Sequence, residues 1–201
     1  MIIRVSNNEE RVFFINQLER IKVVDLYLSA KPGYIRLRLA GSRENVKLAI
    51  SEIKHIQKLT KGLLYPDRQG LFNYEIGFLF REAGATIRVE LLRKLLQYKG
   101  YKIDSSASDF IKSDAPLQVI VDLIHSLNSL IRETELKPKI VREMIATLAV
   151  LTDLDPFTIL ERALELKMIR KEGEDRYSFA VNINNFLKAF ISNHIDDNEN
   201  I

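Results

Sequence analysis

Proline and glycine divide this sequence where the spacing of its apolar residues changes, which limits the fold to separate helices and hairpins. Met1–Val5 is short, apolar and β-branched and predicts a strand. Ser6 and Asn7 are capping residues for a helix over about 7–20, whose apolar residues are Val12, Phe13, Ile15 and Leu18. Lys22–Leu28 and Tyr34–Ala40 alternate as strands around the loop Ala30-Lys31-Pro32-Gly33, the pattern of a hairpin. Gly41-Ser42 leads into a long helix over about 43–60, closed by Lys61-Gly62 with Gly62 suited to a left-handed cap. This first module, 1–62, reads β-α-β-β-α.

Tyr65-Pro66-Asp67-Arg68-Gln69-Gly70 breaks the periodicity and reads as a linker. A central helical module, 71–134, follows. Its helices fall at about 72–83 and 87–99, a small hairpin at Tyr101–Asp104 and Asp109–Ser113 turns through residues 105–108, and a further helix covers about 116–133. Pro116, Pro138 and Pro156 each stand at the start of a helix, where the missing N–H costs nothing. In the third module, 137–195, helices at about 138–152 and 156–167 precede a hairpin of Met168–Lys171 with Arg176–Val181 and a helix at Asn182–Asn193. Asp196–Ile201 reads as a frayed polar tail. The fold class is therefore α+β.

Composition supports a globular chain, with 46% hydrophobic and 28% charged residues. The absence of cysteine excludes disulfides, thiolate metal sites and a cysteine nucleophile. No apolar run approaches the ~18 residues of a membrane helix, and acidic residues appear by Glu9, so the expected location is the cytoplasm. The net charge of +3 is distributed unevenly. Residues 1–62 carry 12 Lys/Arg against 6 Asp/Glu, residues 63–134 carry 9 against 9, and residues 135–201 carry 9 against 12. A basic first module points to phosphate, and so to nucleic acid, or to an acidic protein surface.

Two features of that module sharpen the expectation. On a wheel of 100° per residue, Val46, Ala49, Ile50, Ile53 and Ile56 share one sector of the long helix. Arg43, Lys47, Lys54, Lys58 and Lys61 share another only about 60° wide. That stripe either follows phosphates or is a solvated face beside a core. In the hairpin, Ile35, Leu37 and Leu39 point towards the helices. Tyr34, Arg36 and Arg38 then point the other way, with Asp25 and Tyr27 beside them and Arg4 on the first strand. Tyrosine among arginine on an open sheet suits base stacking and phosphate contact with single-stranded RNA. It also suits pairing with a second copy through the face or its edge, giving a homodimer.

Catalytic signatures are missing. His55, His125 and His194 lie on separate elements without ligand spacing, and no G-x-x-x-x-G-K-S/T, G-x-G-x-x-G or G-x-S-x-G occurs. Asp153 and Asp155 read as a helix-entry pair before Pro156. The expectation is a protein without enzymatic activity, metal or cofactor.

Leu164–Arg170 followed by Asp175–Phe179 resembles the recognition-helix-to-wing passage of winged-helix domains. That resemblance implies a DNA reader, yet Asp155, Glu161 and Glu165 stand against Arg162 and Lys167, and the wing mixes charges, which suits protein contact better than duplex DNA. Gly62–Phe72, Gly84-Ala85, Gly100–Ile103 and Leu151–Pro156 together resemble an archaeal family of uncharacterised proteins of about this length. The family resemblance implies an archaeal cytoplasm and transfers no catalytic residue. The combined expectation is an RNA-binding adaptor of a ribonucleoprotein or ribosomal subunit, with a protein partner on residues 137–195. The alternatives are a winged-helix transcription regulator or a dimeric assembly factor or enzyme subunit.

Overall fold

The computed structural model describes residues 1–104 and 109–198, with side chains up to residue 193. In chain order the elements are β1 (Ile2–Arg4), α1 (Asn8–Leu18), β2 (Asp25–Lys31), β3 (Tyr34–Ala40), α2 (Arg43–Leu64), β4 (Phe72–Glu75), α3 (Ile76–Glu82), α4 (Val89–Tyr98), β5 (Ile103–Asp104) and β6 (Phe110–Ser113). They continue with α5 (Leu117–Glu133), α6 (Lys139–Thr152), α7 (Pro156–Glu165), β7 (Ile169–Lys171), β8 (Tyr177–Phe179) and α8 (Ile183–Asn198). The architecture is α+β, with small antiparallel sheets among helices. The chain divides into two units, 1–75 with 104–114 and 76–103 with 115–201. This differs from a boundary at residue 62, because β4 pairs with β6 and packs on α2.

In the first unit, three strands pair antiparallel in the order β1-β3-β2. The hairpin turn is two residues, Pro32-Gly33, since Lys31 already pairs with Tyr34. Gly33 has φ 82°, the positive value that follows proline in a type II turn. The β2 strand begins at Asp25 rather than Lys22 and runs to Lys31, since Ala30 and Lys31 continue the ladder up to the turn. One sheet face is sealed by both helices: Ile3, Val5, Ile35 and Leu37 pack with Phe14 and Leu18 of α1 and Ala49, Ile53 and Ile56 of α2. Each fully buried aliphatic or aromatic side chain here contributes roughly 1.5–3 kcal/mol.

The face of α1 is a correction. Val12 is 48% exposed, and the buried positions are Glu10, Phe14, Gln17 and Leu18. Four consecutive apolar residues at 100° steps cannot share one face, and Phe14 is the one aligned with Leu18 at i, i+4. Asn7 caps the helix by accepting from Glu10 N–H at 2.8 Å, and Glu10 Oε2 accepts from Ser6 N–H at 2.7 Å. The hydroxyl of Tyr65 donates to the same carboxylate oxygen at 3.0 Å, so buried Glu10 is satisfied.

The end of α2 is a second correction. The helix continues to Leu64, and Gly62 lies inside it with ordinary helical backbone rather than serving as a left-handed cap. Its role is close approach: a Cβ at residue 62 would stand 2.8 Å from the Asn73 carbonyl oxygen of β4. Residues 72–75 are a strand, not the first turn of a helix, because Phe72–Glu75 registers with Ser113–Phe110, burying Tyr74 against Ile111. Asp67 orders the preceding block, its carboxylate accepting from Gln69 N–H and Leu71 N–H at 2.8 and 3.1 Å. That block is a turn. The expected loop at Ser105, Ser106, Ala107 and Ser108 lies outside the described residues.

Tyr74 is 1% exposed, and burial pushes its phenol from 10.0 up to about 12. Folding favours the neutral form, so its contribution is fully present below pH 10 and is lost as pH rises towards 12. Stability measured by denaturant titration across that window is expected to fall more steeply with pH in the wild type than in Tyr74→Phe. Identical slopes would place the alkaline loss elsewhere.

In the second unit, α6 is central and buries residues around its whole circumference, Val141 and Met144–Val150 among them. Phe78, Leu92, Leu95, Ile120, Ile124, Phe186 and Phe190 complete fully buried positions of the unit. Pro116 and Pro138 stand at N-caps, and Pro156 opens α7 behind Asp155, which accepts from Phe157 N–H at 2.8 Å. Asp153 closes α6 in the left-handed region with φ 55°. The β7–β8 hairpin gains a parallel bridge between Lys137 and Arg176. The final helix runs to Asn198, beyond the expected start of the tail at Asp196; residues 199–201 lie outside the described part.

Candidate nucleic-acid interface

Neither α1 nor α2 covers the outer face of the first sheet, since both pack on the inner face. Strand alternation and the antiparallel register set its contents. Tyr34 lies between Arg4 on β1 and Lys31 on β2. Arg36 lies between Ile2 and Ser29, and Arg38 lies opposite Tyr27. Arg4, Lys31, Arg36 and Arg38 are exposed, Tyr27 is 61% exposed and Tyr34 is half-buried between its charged neighbours. Asp25, opposite Ala40, is the carboxylate on this face. The sequence-derived residues Tyr27, Tyr34, Arg36 and Arg38 thus share one surface. Lys31 joins them because the ladder extends to the turn, a position the sequence assigned to the loop.

The stripe on α2 is also present and exposed at Arg43, Lys47, Lys54, Lys58 and Lys61. Ala49, Ile53 and Ile56 of the same helix face the sheet, and the stripe is centred about 140° away from them around the axis. It therefore belongs to the opposite side of the two-layer unit from the open face. The structure brings together the residues within each candidate set and keeps the two sets apart.

At its C-terminal end the stripe enters a cleft of about 510 Å³, where Lys58 and Lys61 meet Lys112 of β6, Tyr65 and Asp67. Lys58 Nζ stands 5.7 Å from the centre of the Phe110 ring. Lys112 Nζ is 3.8 Å from both Asp67 and Asp104, which neutralise it in part. Counted over the whole unit, these returning acids leave 14 Lys/Arg against 11 Asp/Glu. The positive field is consequently local to the sheet face and the stripe. Among the described residues no group of three His, Cys, Asp or Glu side chains could hold a metal ion, and His55 lies 2.9 Å from Glu75. The side chain of His194 is outside the described ones. No helix among the described residues is long and apolar enough to cross a membrane.

Comparison with known proteins places the chain in a family. The chain is 23% identical over 204 residues to "Uncharacterized protein MJ0388" of Methanocaldococcus jannaschii, covering 98% of this chain and 94% of that protein. No solved structure matches. The family model described as "Uncharacterized protein conserved in archaea (DUF2067)" matches residues 3–188, nearly the whole chain and both units. On that match the chain belongs to this archaeal family, as the texture of Gly62–Phe72 and Leu151–Pro156 suggests.

Proposed function

We propose that this protein is a non-enzymatic adaptor that binds single-stranded RNA on the open face of its first sheet, within a ribonucleoprotein or on a ribosomal subunit. The observation that carries the proposal is the register: it sets Tyr27 beside Arg38, and Tyr34 between Arg4 and Lys31, on a face that neither helix covers. Exposed rings stack on any base, and the flanking cations take the phosphates. Fluorescence anisotropy of the full-length protein with a 5′-hydroxyl single-stranded RNA is expected to give saturable binding whose affinity falls steeply with salt. Equal or tighter binding of duplex DNA would favour a transcription regulator instead.

The stripe supplies a second, sequence-blind contribution on the opposite side, engaged when a longer RNA wraps the unit. Lys47→Glu with Lys54→Glu avoids Lys58 and its contact with Phe110. This pair is expected to reduce the salt slope for long RNA by roughly 0.7 per lost phosphate contact, with stability changed by only about ±0.5 kcal/mol. An unchanged slope would leave the stripe a solvated face.

The second unit carries the proposed protein contact. Phe157 is 65% exposed on α7, and Leu166 is also exposed, beside Glu161 and Glu165. Apolar surface interleaved with acids is poor for duplex DNA and suited to a protein partner.

A further inference from the structure

A basic cleft in the second unit is absent from the sequence-level expectations, because its cations are scattered over residues 63–134, which are neutral overall, and residues 135–201, which are net acidic. The fold gathers Arg88 before α4, Arg132 in the last turn of α5, and Lys139 and Arg142 in the first turn of α6 around one opening of about 560 Å³. Four cations line it against a single lining carboxylate, Glu143.

Glu143 draws two of the four cations together. It is 3% exposed, with Arg88 3.2 Å from one carboxylate oxygen and Lys139 3.6 Å from the other. The hydrogen bond to this buried carboxylate holds Arg88 before any ligand arrives, while Lys139 stays largely exposed beside it. Glu143 neutralises only part of the charge, leaving an excess of three positive charges in the cleft. Arg142 lines the cleft too, and its buried Nε has no hydrogen-bond partner among the described residues. Two helices also begin here, α4 behind Arg88 and α6 behind Pro138, and neither N-cap has a capping side-chain bond. Their positive ends add to the same field, offset in part by the C-terminal end of α5, whose last turn also lines the cleft.

We infer that this cleft binds a phosphate-bearing ligand of nucleotide size. Guanidinium forks match phosphate oxygens in two-point geometry, and the volume falls within the usual range for small-molecule sites. Asn128 and Thr86, which also line the cleft, supply neutral hydrogen-bonding groups for the remainder of the ligand. The phosphate can arrive on a free nucleotide or as the phosphorylated 5′ end of an RNA. This site does not depend on the sheet face, and the two can fail separately.

Titration calorimetry of the full-length protein with pyrophosphate, ADP, and a short RNA carrying either a 5′-phosphate or a 5′-hydroxyl separates the sources. Saturable one-to-one binding of pyrophosphate with ADP, or of the 5′-phosphorylated RNA in preference to its 5′-hydroxyl form, is the expected result. The first pattern identifies a nucleotide and the second an RNA terminus. Arg132→Gln with Arg142→Gln is expected to weaken that binding tenfold or more. Should the double variant fail to fold, Arg132→Glu alone, at an exposed position, is expected to give at least a tenfold loss. No saturable binding of pyrophosphate, ADP or 5′-phosphorylated RNA, or undiminished binding by a folded Arg132→Glu, would overturn the inference.

Discussion

Full-length protein carrying Tyr27→Ala and Tyr34→Ala is expected to bind single-stranded RNA about a hundredfold more weakly than wild type, at unchanged thermal stability. Base stacking on an aromatic ring is worth roughly 1–3 kcal/mol by alanine substitution, so each single variant should lose about tenfold or more. The two effects should add. Tyr27 pairs with Arg38, four residues along β3 from Tyr34, which puts the two positions about 14 Å apart, beyond the range of direct coupling. Neither ring belongs to the sealed core, so truncation leaves Ile35, Leu37 and their helix partners packed. Anisotropy titration of the two singles and the double checks this, with light scattering alongside. If the double variant instead keeps its RNA affinity and shifts from dimer to monomer, the face is a subunit interface, since tyrosine and arginine also favour protein contacts.

Gly62→Val is expected to destabilise the first unit by about 2 kcal/mol, although replacing glycine inside a helix ordinarily gains stability. The usual gain is about 0.5–1 kcal/mol for alanine and less for a β-branched residue. Here the new Cβ would stand 2.8 Å from the Asn73 carbonyl oxygen and 3.2 Å from the Asn73 Cβ. That oxygen is backbone of β4, held in register by β6, and cannot swing aside as a flexible side chain would. Overpacking at such a point costs roughly 1–3 kcal/mol, and the branched side chain adds to the crowding, so the clash wins. Denaturant titration of the full chain checks the sign: a Gly62→Val protein as stable as wild type would mean that α2 and β4 do not approach this closely. Because Lys58 and Lys61 belong to the same helix end, the variant should also disturb the cleft they form with Lys112.

Much of the first unit was legible because its signals are local. The alternation Tyr34-Ile35-Arg36-Leu37-Arg38 identifies both faces of β3, and Pro32-Gly33 locates the turn, so the open face and its tyrosines could be read directly. The wheel of α2 separates its core and its cations for the same reason. What escaped was settled by partners distant in sequence. Phe72–Glu75 becomes a strand through pairing with residues 110–113, and Gly62 acquires its purpose only from the approach of Asn73. A hint existed in the period-two placement of Phe72 and Tyr74, outweighed by the apolar run that follows. The cleft of Arg88, Arg132, Lys139 and Arg142 left no local trace, because four residues on three helices converge only after packing.

Ultraviolet crosslinking of the full-length wild-type protein to a 5′-hydroxyl single-stranded RNA, followed by mass-spectrometric mapping of the crosslinked residues, tests the sheet face most directly. The predicted result is crosslinks concentrated at Tyr27 and Tyr34, competed away by unlabelled RNA. Crosslinks confined to the second unit, with Tyr27 and Tyr34 unmodified at saturating RNA, would contradict it.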